Sequence, residues 1–220
     1  MVAVETRETK PMPAISPYHR YNLRRNPFGE LTREERADLA VVDVGDWLKF
    51  LADDRSVLQF IGPCGHGKTT HLLAIERAIR KAEYVYLPEG GPNPTVSNHR
   101  PMIVDEAQRL SYWQLRRVLK RGGPLVFGTH TDHSRAIIRA GLNVCTVNVS
   151  EDSSAQQLIK ILNQRVDASR HGDGLVPRIT ASHAIGLQNQ FGANVRAIEH
   201  FLYEQLQHCI SERKPWPPAN

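Results

Sequence analysis

Cysteine is scarce in this chain: Cys64, Cys145 and Cys209 are the only three, far apart and without a CxxC pair. That spacing excludes a disulfide framework and a cysteine-built zinc site, and it suits a reducing compartment. Long hydrophobic runs are missing too; none approaches the roughly 18 to 20 apolar residues of a membrane-spanning helix. The first ten residues mix Glu5, Arg7, Glu8 and Lys10 without an apolar stretch, which excludes a secretory signal there. The expectation is a cytoplasmic protein without membrane insertion. Nor is charge of one sign concentrated: 28 Lys and Arg oppose 23 Asp and Glu, a net of +5 spread along the chain. Such a mild excess leaves anionic partners open without identifying a nucleic-acid binder.

What is present is ordinary globular composition, 40% hydrophobic and 23% charged over 220 residues, enough for one α/β domain and a modest appendage. Residues 1 to 19, with Pro11, Pro13 and Pro17 and no apolar period, read as a flexible tail. Thr32-Arg33-Glu34-Glu35 has the form of a capping box and opens a helix; Val44 to Leu51 is a second apolar-periodic piece. From Val57 to Val149 strand patterns alternate with helix patterns, which predicts a parallel sheet sandwiched by helices over residues 20–150. After Glu151 only helix patterns remain, Ala155 to Ala168, Thr180 to Phe191 and Val195 to Ile210, a small all-helical domain over residues 151–212. Residues 213–220, with Pro215, Pro217 and Pro218 around Trp216, read as a second tail.

The chemistry is concentrated in two segments. Gly62-Pro63-Cys64-Gly65-His66-Gly67-Lys68-Thr69 satisfies G-x-x-x-x-G-K-[ST], after a strand pattern and before a helix pattern. Glycines let backbone N–H groups bend toward phosphate oxygens, and the helix N-terminus adds a positive dipole end. Lys68 is expected to reach the β- and γ-phosphates and Thr69 to ligate Mg²⁺. Residues Gly62 to Thr70 are thus expected to line an ATP site, with Cys64 and His66 as fillers at free positions. Pro101-Met102-Ile103-Val104-Asp105-Glu106 is a strand ending in two carboxylates. Adjacent carboxylates can divide the labour: Asp105 toward the metal and Glu106 toward the attacking water.

The segments GPCGHGKTT, MIVDEAQ, LVFGTH and FGANVRAIEHFL resemble the AAA+ superfamily of P-loop ATPases. The likeness is greatest to small bacterial members typified by the general-secretion ATPase ExeA and the transposition accessory protein TniB. It runs from about Tyr21 to Ile210 and implies a P-loop core followed by a helical lid. It also implies a water-positioning polar residue at the tip of the fourth strand, Thr129 first and His130 second. Arg196 matches the lid arginine that faces the γ-phosphate; a cation in the first turn opposes the helix dipole, which favours a phosphate-facing role. Phe28, in Asn26-Pro27-Phe28, matches the segment that lies near the adenine. Arg135 or Arg139 would be the arginine supplied in trans between subunits.

The connection PEGGPNPTVSNHRP, too rich in Pro and Gly for a helix, departs from the threading members and leaves a short crossover between two strands. The basic helix around Arg116, Arg117, Lys120 and Arg121, with Trp113 nearby, could touch a phosphate backbone or be a solvated helix end. The leading expectation is Mg²⁺-dependent ATP hydrolysis coupled to lid and subunit motion, in a possible homo-oligomer acting on a protein or DNA partner. A non-hydrolysing nucleotide switch and a small-molecule P-loop kinase are the alternatives.

Overall fold

The computed structural model describes residues 16–79, 81–90, 94, 99–150 and 154–217. Two short helices, α1 (Arg33–Asp38) and α2 (Gly45–Phe50), lead into β1 (Ser56–Ile61), α3 (Lys68–Ala78), β2 (Glu83–Tyr86) and β3 (Met102–Asp105). Then come α4 (Tyr112–Lys120), β4 (Leu125–Thr129), α5 (Ser134–Arg139) and β5 (Asn143–Asn148), followed by α6 (Ala155–Ala168), α7 (Ala181–Phe191) and α8 (Val195–Ser211). The capping box at Thr32 and Glu35 forms: each side chain accepts the other residue's backbone N–H.

Among the described residues five strands make one parallel sheet in the order β2-β3-β4-β1-β5. The short connection between β2 and β3 joins adjacent strands, and residues 91–93 and 95–98 of it lie outside the described residues. The three central strands β1, β3 and β4 are buried along their length and mostly apolar on both sides, whereas the edge strand β5 is half exposed. Val57, Met102, Val104, Leu125 and Phe127 face α4 and α5, packing on Val118, Leu119 and Ile137. Their neighbours Leu58, Phe60, Ile103 and Val126 face the other way onto Leu72 and Ile75 of α3.

A third core belongs to the C-terminal helices, built from Leu158, Leu162 and Val166 of α6, Leu187 of α7 and Ile198, Leu202 and Leu206 of α8. Chain ends read as tails contribute to it, though residues 1–15 of the first lie outside the described residues. Pro17–Tyr21 is a 3₁₀ helix whose Tyr18 packs, partly buried, on this core, and Trp216 is buried against Phe28 with ring centroids 5.6 Å apart. Apolar area near the ends is thus recruited by a bundle too small to bury its own faces.

Candidate nucleotide site

The carboxyl ends of β1, β3 and β4 open onto a cleft closed from above by α8. It lies where the chain leaves β1, passes over β4 and β3 through α3, and enters β2 at the far edge. Such a crossover point separates loops and leaves a crevice at the strand ends. Gly65 and Gly67, at φ +86° and +88°, hold the left-handed turns of the loop after β1, a conformation that strains any side chain. Lys68 opens α3 and is only 5% exposed. Its Nζ donates to the carbonyls of Gly62 and Pro63 at 2.8 and 2.9 Å, so the ammonium braces the loop it serves. Burial lowers the Lys68 pKa below the ordinary lysine value, and the nearby Glu106 carboxylate partly opposes that.

Thr69 Oγ1 donates to Asp105 Oδ2 at 2.9 Å, bringing together the two residues expected to share a metal. The same oxygen accepts from the Tyr84 hydroxyl at 2.8 Å, and the Glu106 N–H donates to Oδ1 at 3.0 Å. Burial, with the Asp105 carboxylate beside it, pushes the Tyr84 phenol pKa up, so it stays a donor. Arg33 of α1 lies over its ring, 3.9 Å from the centroid. Tyr84 went unnoticed in the sequence, where a tyrosine in a strand signals only a half-buried surface. Gly128 is the other residue missed: a Cβ there would lie 2.8 Å from Asp105 Oδ1 and 2.7 Å from Leu72 Cδ1. Only glycine lets β4 pass between the carboxylate and α3, and a lone glycine in a strand pattern was the available signal.

Hard oxygen donors of this kind suit Mg²⁺, which keeps several waters and takes one or two protein ligands beside phosphate oxygens. Among the described residues no group of three or more His, Cys, Asp or Glu forms a cage of its own. Thr69 and Asp105, a hydroxyl and a carboxylate 2.9 Å apart, fit a cation that arrives with a phosphate ester.

Glu106 stands at φ +63°, ψ +40°, a conformation costing a non-glycine residue roughly 1 to 2 kcal/mol. Strain of this sort persists where neighbours over-determine it. The turn aims the carboxylate at the cleft, where it accepts from Gln108 Nε2 at 2.7 Å and lies 3.3 Å from Arg109 Nη2. His130 Nε2 is 3.8 Å from Glu106 and 3.4 Å from Lys68 Nζ. Thr129 is fully buried and its hydroxyl bonds the Thr131 carbonyl at 3.0 Å, within the turn. Of the two strand-tip candidates, His130 is therefore the one beside Lys68 and Glu106.

Arg196 is brought to the loop after β1. Its N–H donates to the Gly65 carbonyl at 3.3 Å and its guanidinium reaches Cys64 Sγ at 3.4 Å. Asn194, one residue before α8, caps that helix through the Ala197 N–H at 3.1 Å. Phe28 sits in the core of the helical bundle, not in the cleft lining. The apolar end of the cleft is formed instead by Leu39, Val41 and Val42 from the segment after α1, with Ile161 and Ile198 from the bundle. His66 and Thr70 line its polar end. Arg135 and Arg139 are exposed on α5 and do not line it.

No protein-family model matches the chain, and no curated protein matches it. Solved structures do. That of the Thermotoga maritima RuvB Holliday junction branch migration motor aligns with a TM-score of 0.52 at 16% identity, covering 84% of this chain and 64% of that one. The fold shared with it is a parallel sheet flanked by helices, the AAA+ P-loop architecture. A mutant form of the same RuvB aligns equally, at 14% identity over 84% of this chain and 65% of that one. The Aeropyrum pernix ORC2 protein, in ADPNP and ADP complexes, gives 0.47 at 17% identity, covering 86% and 68%. This chain spans less than two thirds of the RuvB structures it matches, and at these identities the likeness is one of AAA+ architecture alone. No helix among the described residues is long and apolar enough to cross a membrane.

Proposed function

We propose that this chain binds ATP with Mg²⁺ and hydrolyses it to ADP and phosphate, and that closure of the helical lid on the core transmits the nucleotide state to a protein or DNA partner. The observation that carries the reading is the 2.9 Å contact of Thr69 with Asp105, in a cleft shared by Lys68, Glu106 and Arg196. When bound, Mg²⁺ supplies charge neutralisation at the phosphate oxygens, held by Thr69 and Asp105. Gly65 and Gly67 let the loop N–H groups cradle the phosphates, and Lys68 turns from the Gly62 and Pro63 carbonyls to the β- and γ-oxygens. The adenine ring occupies the apolar end between Val41, Val42 and Ile161. Glu106 takes up the proton of the attacking water once its contact with Gln108 gives way, and His130 orients that water. Arg196 meets the γ-phosphate from the lid, so the lid senses the difference between ATP and ADP.

What supports hydrolysis over transfer to a small-molecule acceptor is the Glu106 carboxylate lining the cleft, a base for an attacking water. The test is phosphate release measured against protein concentration for wild type and Glu106→Gln, with ATP affinity measured in parallel. Loss of a general base slows turnover by about 10²-fold or more while leaving binding intact. Turnover of the variant at the wild-type rate refutes the assignment of Glu106. ATP binding without turnover in the wild type at every concentration means a nucleotide switch instead.

A further inference from the structure

α4 carries its chemistry on the outside. Leu115, Val118 and Leu119 pack its inner face on the sheet, and a capping box of Ser111 and Gln114 fixes its first turn. The outer face then presents Tyr112 and Trp113, 67% and 71% exposed, with their rings edge to face at 5.2 Å. Four residues on from each, along the same helix rows, stand Arg116 and Arg117, with Lys120 a further turn along. All three are exposed, none makes an ion pair among the described residues, and the helix contains no acidic residue. The stripe runs about 12 Å.

Cations in the last turn are favoured by the helix dipole, which accounts for Arg117 and Lys120 as ordinary surface residues. It does not account for two adjacent aromatic rings left two-thirds in water at the other end of the same stripe. Aromatic faces beside unpaired guanidinium groups are what single-stranded nucleic acids bind: bases stack on the rings while cations meet the phosphates. An acidic protein segment would use the cations and leave the rings unexplained. We infer that the outer face of α4, from Tyr112 to Lys120, is a docking surface for single-stranded nucleic acid. This gives chemistry to the partner side of the function proposed above, and it holds whether or not Glu106 hydrolyses ATP.

The test is fluorescence anisotropy of labelled oligo-dT with the full chain, without nucleotide and at low salt, while ATP affinity is titrated separately on the same proteins. Trp113→Ala and Tyr112→Ala should each weaken oligo-dT binding by about fivefold to a hundredfold, the range for one lost stacking partner. Arg116→Gln with Arg117→Gln should reduce the slope of log affinity against log salt by about 1.4, two phosphates' worth on a single strand. All four side chains are exposed, so melting temperature and ATP affinity should be unchanged. Failure of oligo-dT binding beside normal ATP binding overturns the inference and spares the ATPase reading. Binding that Trp113→Ala leaves intact overturns it too, as does a face that responds only to acidic peptide. A change in sedimentation mass in place of oligo-dT affinity assigns the face to a second copy of this chain and refutes the inference.

Discussion

Gly65→Ala isolates the contact between the loop after β1 and the helical bundle. Two effects combine at this position. The backbone is left-handed at φ +86°, which costs a residue with a Cβ about 1 to 2 kcal/mol. The new Cβ would also lie 2.4 Å from Asn194 Oδ1 and 3.2 Å from Arg196 Cβ, the first being closer than real Cβ atoms come to anything. Asn194 must swing away, giving up its cap on α8 at about 1 kcal/mol, and the Arg196 N–H to Gly65 carbonyl bond is lost at about 1 kcal/mol more. Gly90→Ala is the matched control: φ is +70° and no atom lies within 4 Å of its Cβ, so only the backbone strain applies. The pair should differ by about 2 kcal/mol. For a chain of this length that is roughly 4 to 8 °C in melting temperature. Thermal denaturation of both variants without nucleotide decides it. Equal drops would show that the bundle does not rest on the loop through Asn194 and Arg196, and the closed cleft described above would have to be abandoned.

Lys68→Ala should lower MgATP affinity strongly and also destabilise the nucleotide-free protein, because two loop carbonyls lose their donor; calorimetric titration and denaturation read the two effects, and unchanged affinity in a folded variant counts against the phosphate role. Arg196→Ala should shrink the preference for ATP over ADP by about tenfold or more, the worth of one charge-assisted hydrogen bond to the γ-phosphate. A ratio equal to that of wild type makes it a structural arginine. Burial holds the His133 pKa below the ordinary histidine range, with Asp132 opposing. The unfolded chain therefore takes the proton first as pH falls, and stability present above about pH 6.5 declines below it toward the folded pKa. Urea midpoints at about pH 7.5 and about pH 5.5 should differ less in His133→Gln than in wild type.

The glycine-rich turn between β1 and α3 was legible in the sequence because its constraints are local: glycines at fixed offsets, a lysine and a hydroxyl at the start of a helix. The five strands and the helices between them were legible too, since a sheet buried on both faces leaves short apolar runs bounded by turns. Four sites depended on the tertiary structure. Phe28 is an apolar residue beside a turn, equally able to meet a base or a core; the bundle's need for apolar area, filled with Trp216, places it in the core. Thr129 and His130 are neighbours at a strand tip, and alternation sends one side chain into the turn and the other toward Lys68 and Glu106. Tyr84 reaches Asp105 only because parallel pairing of β2 with β3 sets Val85 against Val104 and Tyr86 against Asp105, a register no local pattern encodes. Arg196 meets Gly65 across 131 positions of chain, and the packing of α8 over the strand ends decides that contact. Local spacing determines which chemistry a segment can perform; burial and register, which depend on distant residues, determine which side chains are present to perform it.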